Sequence, residues 1–310
     1  MTALSEESVL VYDVGGSHVS AAVCSADGYR LGPVVSGRHP EQHSADAFID
    51  LLCSLGTRAS ATAKGVLGAG LAIPGPFDYA EGISRMRHKL PYLYGVDLRQ
   101  ALAQRFGWQP ENVRFLNDAA AYLLGEIGSG AARGVPRAVG ITLGTGIGSA
   151  FAVDGRVVTS GPGVPPGGEI WNLPYEGKTV EDFLSTRAIQ ENYRQCTGQQ
   201  RAVSTIAAAA TTDPAAAKVF TEFGRHLGLA LRAVTATFAP SVIVLGGGIS
   251  RSSQLFLPAA EIELRGMNLQ VRISTLLDNA PLVGAGVAWF STSCQCALDP
   301  SHNAAPAIVL

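Results

Sequence analysis

Three apolar segments of this chain run straight into glycine clusters, and that repeated junction constrains the fold more than any other feature. They are Val9–Val14 into Gly15-Gly16-Ser17, Ala138–Leu143 into Gly144-Thr145-Gly146-Ile147-Gly148, and Ser241–Leu245 into Gly246-Gly247-Gly248. Glycine lets the backbone approach a ligand closely and take up positive φ, and successive N–H groups can then cradle phosphate oxygens. A glycine after a strand is also an ordinary tight turn. Three such junctions, one opening on Asp13, favour a ligand-binding α/β architecture. The first two are each followed by another strand and a turn: Val19–Cys24 with Asp27-Gly28, then Ser149–Val153 with Asp154-Gly155. This recurrence predicts two similar α/β units.

Helical spacing covers Ala45–Ala63, with Phe48, Leu51, Leu52 and Leu55 on one face, and also Asp97–Phe106, Ala119–Ile127, Thr179–Arg194 and Ala215–Phe238. The last carries an amphipathic stripe at Val219, Phe220, Phe223, Leu227, Leu231 and Val234. Gly65–Ile73 reads as a strand ending in Pro74-Gly75-Pro76, and Val113–Leu116 as a short strand that stops at Asn117-Asp118. The tail, Asp299–Leu310, has no period and reads as poorly ordered. No linker divides the chain cleanly, so the two units are expected to share one cleft.

Composition narrows the class. With 47% hydrophobic and 15% charged residues over 310 positions, the chain can bury a core, which excludes disorder. The net charge of -2, from 23 basic and 25 acidic residues, provides no basic field for a nucleic-acid backbone or an anionic membrane. No run of 18 or more apolar residues appears, and MTALSEESVL does not read as a signal peptide. Five cysteines, an odd number, do not suit a closed disulfide framework. A cytoplasmic location is expected. Cys294 and Cys296 form a C-x-C pair with no nearby His or second Cys pair, so no metal site of protein ligands alone is expected.

Carboxylates beside the glycines are the candidate chemistry. Asn117-Asp118 closes a strand and opens a helix. Either residue can serve as an N-cap, and equally an Asp there can accept a proton from an attacking hydroxyl, as kinase-type phosphoryl transfer requires. Glu169 follows Gly167-Gly168, and Glu181 lies near a helix start. Both read as surface or helix-dipole residues, or as acceptors for sugar hydroxyls. Gly177-Lys178-Thr179 imitates the end of a Walker A loop but has Asn172 where that motif needs glycine. A strand follows GTGIG where a dinucleotide fold needs a helix, and no G-x-S-x-G elbow exists.

As an ordered set, these segments resemble the ROK family of sugar kinases and sugar-responsive repressors, within the actin-like ATPase fold that includes the hexokinases. The resemblance runs from about Val9 to about Trp289. DVGGSHVSAAV resembles the family's first phosphate loop, with Ser17 where Thr is usual and His18 where Lys is common. IPGPFD resembles the loop beside the sugar, FLNDAAAYLLGE the catalytic segment, ITLGTGIGSAF the second phosphate loop, and VIVLGGGIS the segment under the adenosine. The family's E-x-G-H becomes Glu169-Ile170-Trp171-Asn172, and LPYEGKTVEDFLS replaces its CxCGxxGC zinc motif. Glu181 persists from the end of that segment, with Ser185 after it, and Lys89 stands where a sugar-contacting Asn is usual.

The resemblance implies an α/β fold of two actin-like (ribonuclease H-like) ATPase domains flanking a cleft, with a small domain at 1–118 plus 284–310 and a large one at 119–283. It implies transfer of the γ-phosphoryl of Mg-ATP to a hexose, most simply by a glucokinase or hexokinase. Asp118 is the implied general base. Pro74, Gly75, Asn117, Asp118, Glu169, Asn172 and Glu181 are implied at the sugar. Asp13, Gly15, Gly16, Ser17, His18, Gly144, Thr145, Gly146, Gly247 and Gly248 are implied at the nucleotide, Asp13 also orienting magnesium through water, with no zinc. An N-acyl-hexosamine or polyphosphate-dependent kinase and a non-catalytic sugar sensor are the alternatives. A homodimer or homotetramer is expected. The repressor branch carries a helix-turn-helix ahead of the first phosphate loop, which begins near residue 13 here, so DNA binding is not expected.

Overall fold

In the computed structural model the described residues are 7–291. They divide into two compact units, one made of residues 7–133 with 278–291 and the other of residues 134–277. The Cys294–Cys296 pair and the segment from Asp299 onward lie outside the described residues. No described helix is long and apolar enough to cross a membrane.

The first unit opens with β1 (Ser8–Val14), β2 (His18–Ser25), β3 (Val35–Arg38), α1 (Ala45–Ala59) and β4 (Val66–Ile73). A small hairpin, β5 (Phe77–Asp78) and β6 (Ile83–Ser84), leads to α2 (Leu98–Phe106), β7 (Val113–Asn117) and α3 (Asp118–Ser129). The sheet order is β3-β2-β1-β4-β7, with β1–β2–β3 antiparallel and β1–β4–β7 parallel. β1 is buried along nearly its whole length, as befits a strand covered on both faces. Phe48, Leu52 and Leu55 of α1 fill one face, where the Tyr12 hydroxyl donates to the Leu52 carbonyl at 3.1 Å.

The second unit contains β8 (Arg137–Leu143), β9 (Ile147–Val153), β10 (Arg156–Val158), the two-residue strands β11 (Pro174–Tyr175) and β12 (Lys178–Thr179), α4 (Val180–Phe183), α5 (Thr186–Thr197), α6 (Val203–Ala209), α7 (Pro214–Thr235), β13 (Val242–Gly246), α8 (Ser253–Glu263) and β14 (Gln270–Ile273). Its main sheet runs β10-β9-β8-β13-β14, antiparallel through β8–β9–β10 and parallel through β8–β13–β14. This is the pairing pattern of the first sheet, so the recurrence visible in the sequence is a repeat of topology. The α7 stripe is buried in the core against β8, β13 and α8.

The final helix, α9 (Ala280–Phe290), returns to the first unit. A Cβ on its Gly284 would strike the Ala121 carbonyl of α3, and one on Gly125 would strike the Ala280 carbonyl. The two helix backbones are therefore in direct contact. That packing keeps α3 with the first unit, so the boundaries fall at 133/134 and 277/278, whereas the sequence placed them at 118/119 and 283/284. A second difference concerns Thr179–Arg194, expected as one helix. It breaks at Leu184, and Ser185 caps α5 by accepting from the Ala188 N–H at 3.3 Å.

Candidate active site

Parallel pairing sets Asp13 of β1 opposite Ala72 of β4, and Ile73 of β4 opposite Asn117 of β7. Asp13, Pro74-Gly75 and Asn117-Asp118 thus gather at the carboxyl ends of three neighbouring strands, where open α/β sheets hold their ligands. Asn117 is the N-cap of α3. Its Oδ1 accepts from the N–H groups of Ala119 (2.9 Å) and Ala120 (3.1 Å), and its Nδ2 donates to the Tyr79 hydroxyl at 3.3 Å. Tyr79 in turn donates to the Ile73 carbonyl at 3.2 Å, which fixes the loop beside the cap. Capping therefore belongs to Asn117. Asp118, the first residue of the helix, accepts from the Ala119 N–H at 3.0 Å and does not serve as the cap.

The electrostatics of this corner are unfavourable without a ligand. Burial pushes the Asp13 carboxyl up to about 7, with the charges of Asp118 and Asp278 adding to the effect. Burial also raises Asp118, while the Lys89 ammonium and the hydrogen bonds at the helix start pull the other way. Magnesium is the metal the resemblance implies, and the residues fit it: a cation beside Asp13 would offset the cost of burying its charge as well as the repulsion from Asp118 and Asp278. Among the described residues no group of three or more His, Cys, Asp or Glu side chains could hold a metal ion.

Gly15, Gly16, Ser17 and His18 make the turn from β1 to β2, closed by the Gly15 N–H to the His18 carbonyl at 3.0 Å. In the second unit, the β8–β9 turn carries Gly144, Thr145 and Gly146. Its Gly144 carbonyl accepts from both the N–H (2.8 Å) and the hydroxyl (2.9 Å) of Thr186. The Ile147 N–H donates to Glu181 at 3.2 Å, and a Cβ on Gly146 would collide with that carboxylate. β13 lies next to β8, so Gly247 and Gly248 share this end of the sheet. Gly247, at φ 80°, is the glycine of these clusters that takes up positive φ, and its α-carbon faces the Leu143 backbone. At the other two clusters the glycines provide room instead of an unusual dihedral.

Glu169 and Asn172 stand on a loop anchored by buried Ser149, whose hydroxyl donates to the Gly168 carbonyl (2.7 Å) and accepts from the Ile170 N–H (3.0 Å). The Trp171 indole donates to Glu169 at 2.8 Å, and the Glu181 N–H donates to the Trp171 carbonyl at 3.0 Å. The structure thus groups Asp13, Gly15 to His18, Pro74, Gly75, Asn117 and Asp118 in one unit. In the other it groups Gly144 to Gly146, Glu181, Gly247 and Gly248, with Glu169 and Asn172 on the adjoining loop. Glu181 accepts from the Ile147 N–H of the glycine turn, and a carboxylate bound once keeps acceptor capacity for further donors. Tyr79, Asp278 and Thr186 were not anticipated. Thr186 follows Ser185, and a Ser-Thr pair after an apolar residue is a readable helix start.

Where the family's zinc motif would lie, the β11–β12 hairpin is held by side chains. The Tyr175 hydroxyl and His226 Nδ1 are 2.8 Å apart, and Phe183 packs at 5.1 Å from the Tyr175 ring and 4.7 Å from the His226 ring. Burial raises Tyr175 to about 12 and, with the Arg225 charge, lowers His226.

The ROK family model matches residues 9–291. The chain belongs to the ROK family. It is 28% identical to a glucokinase of Thermotoga maritima over 88% of this chain and 94% of that one. An N-acetyl-D-glucosamine kinase of Pectobacterium atrosepticum is 27% identical over 79% and 85%. Among solved structures, the ROK hexokinase of Thermus thermophilus superposes with a TM-score of 0.76 at 27% identity, covering 90% of this chain and 97% of that one. The two α/β units of this ROK chain therefore have the actin-like ATPase fold.

Proposed function

We propose that this ROK-family chain is an ATP-dependent sugar kinase, a glucokinase or hexokinase, with Asp118 as general base. The observation that carries the reading is the division of labour at the head of α3: Asn117 caps the helix, while Asp118 presents a carboxylate whose pKa burial has raised. A base needs a pKa near the working pH, and this environment moves Asp118 in that direction. The glucokinase and hexokinase among its relatives support the same chemistry.

In the proposed reaction a hexose hydroxyl gives its proton to Asp118. Its oxygen bonds to the γ-phosphorus of ATP, the bond from that phosphorus to the bridging oxygen breaks, and ADP leaves. Gly16 to His18 and Thr145 to Gly146 offer backbone N–H groups to the phosphates, while the Gly15 and Gly144 N–H groups close the two turns, and Gly247 and Gly248 lie against the adenosine. Asp13 would hold magnesium through water, and the ion would offset negative charge on the phosphates. Pro74, Gly75, Asn117, Glu169 and Asn172 position the sugar, and Glu181 sets the glycine turn. The enzyme would act on free hexose in the cytoplasm as a homodimer or homotetramer.

The test is ADP release from Mg-ATP with glucose, mannose, fructose, N-acetylglucosamine and N-acetylmannosamine, run beside Asp118→Asn. Turnover on one sugar, abolished by the substitution, supports the reading and names the acceptor. The likeness to an N-acetyl-D-glucosamine kinase makes an amino-sugar acceptor the second reading, decided by the same panel. ATP binding without turnover on any sugar of the panel would point instead to another acceptor or donor, or to a sensor that has lost its chemistry.

A further inference from the structure

The indole of Trp171 has no task in the chemistry above. It is 43% exposed, although Ile170 before it and Leu173 after it are buried. The loop is thus pinned at Ile170 and Leu173 and leaves Glu169, Trp171 and Asn172 exposed. Nε1 of the indole donates to Oε2 of Glu169 at 2.8 Å. The roles in this bond are fixed by the groups themselves, because an indole nitrogen only donates and a carboxylate accepts.

The donor is stiffer than the acceptor. An exposed glutamate is rich in rotamers, and a ligand that fixes it must first overcome that freedom. Trp has fewer rotatable bonds, and here its peptide is tied down as well. The Trp171 carbonyl accepts from the Glu181 N–H at 3.0 Å, and the Glu181 carboxylate accepts from the Ile147 N–H of the second glycine turn. Glu169 forms no salt bridge among the described residues, so the indole is what holds its carboxylate in one orientation. The indole takes Oε2. A carboxylate bound once keeps acceptor capacity, and Oε1 is left for a sugar hydroxyl.

We propose that Trp171 is a positioning residue for the acceptor sugar: its N–H holds the Glu169 carboxylate in the orientation that receives a sugar hydroxyl, so that the carboxylate is already ordered when the sugar arrives. The proposal rests on the reading of Glu169 as a sugar-binding group. In this role Trp171 touches neither ATP nor the reacting atoms, and its effect falls on the sugar. Its tie to Glu181 runs through the backbone carbonyl and survives replacement of the indole, so the second glycine turn keeps its shape.

The experiment compares Trp171→Phe and Trp171→His with the parent, measuring kcat and the KM values for sugar and ATP on the panel sugar that the parent turns over. Phe keeps an aromatic ring and has no N–H. In His, Nε2 stands at the same place relative to Cβ as the indole Nε1, and the carboxylate selects the tautomer that carries its proton there. The Phe variant should raise the KM for sugar about fivefold, with kcat and the KM for ATP within about twofold, and His should recover most of the loss. In a Glu169→Ala background, Trp171→Phe should add nothing. The indole is exposed, so melts of these variants should stay near the parent's. An unchanged KM for sugar, a rise that His does not reverse, a rise that persists without Glu169, or a rise in the KM for ATP alone overturns the proposal and leaves the kinase reading in place. If the parent binds a sugar without turning it over, the kinase reading fails. Calorimetric sugar affinities of the same variants then decide the proposal by the same fold-changes. A parent that binds ATP but no sugar of the panel overturns the proposal.

Discussion

Glu181 accepts a hydrogen bond from the Ile147 N–H at 3.2 Å, and its carboxylate occupies the space a Cβ on Gly146 would need. A carboxylate 34 residues away in sequence thus sets the shape of the second glycine turn. Gly146→Ala should push the two apart, costing about 1–3 kcal/mol of stability from overpacking and raising the KM for ATP. In Glu181→Ala the obstruction is gone, so adding Gly146→Ala to it should cost little more. Melts of the four proteins in this cycle check the point. Additive losses would show that the contact is not the reason for the glycine.

Asp13 makes a prediction about pH. Its native pKa of about 7 exceeds the ordinary 3.8, so the folded state holds a proton that the unfolded state has lost between about pH 4 and pH 7. Stability from this group therefore falls as pH rises through that window and stays low above it. Asp13→Asn removes the effect. It should raise the melting temperature at pH 8 by a few degrees, on the order of 1–2 kcal/mol, and leave it unchanged at pH 4. The same variant should lose magnesium-dependent turnover. A variant that melts lower than the parent at pH 8 would contradict the burial and repulsion described for this corner.

The parts legible in the sequence were those written in local chemistry. Apolar strands running into glycines gave β1, β8 and β13, and the amphipathic stripe gave α7. The positions of Asp13 near the end of β1, Asn117 at the end of β7 and Asp118 at the start of α3 were legible because apolar runs stop there. What stayed hidden depends on distant partners. α9 is apolar with small residues throughout and shows no stripe, because Gly284 and its neighbours pack on α3 and on the sheet. The Thr179–Arg194 stretch read as one helix because periodicity cannot show that Thr186 is tied to the Gly144 carbonyl. The tie from Glu181 to the second glycine turn was hidden for the same reason: its partner, Ile147, lies 34 residues earlier.

The hairpin that replaces the zinc segment should behave as a purely side-chain structure. Tyr175→Phe removes the hydrogen bond to His226 and should cost about 1 kcal/mol, whereas Tyr175→Ala also empties the space against Phe183 and His226 and should cost about 3 kcal/mol. Because α4 and Glu181 follow this hairpin, the alanine variant should also raise the KM for ATP. A zinc chelator such as 1,10-phenanthroline should leave the melting temperature unchanged. A chelator-induced drop would mean that a metal holds this segment after all.

Asp118 gives the sharpest kinetic prediction. Asp118→Asn keeps the size of the side chain, and Asn117 still caps α3, so the melting temperature should move little. The asparagine cannot take the hydroxyl proton, and kcat should fall by roughly 10²–10⁴-fold with the KM values for sugar and ATP changed only a few-fold. The parent should also lose rate in acid as Asp118 takes up a proton. Because burial raises that pKa, the acid limb should lie above the ordinary carboxylate range. Lys89, whose charge opposes the shift, tunes its position: Lys89→Met should move the limb to still higher pH while leaving the plateau rate within a few-fold. A limb that does not move, or an asparagine variant with parental kcat, would take the base role away from Asp118.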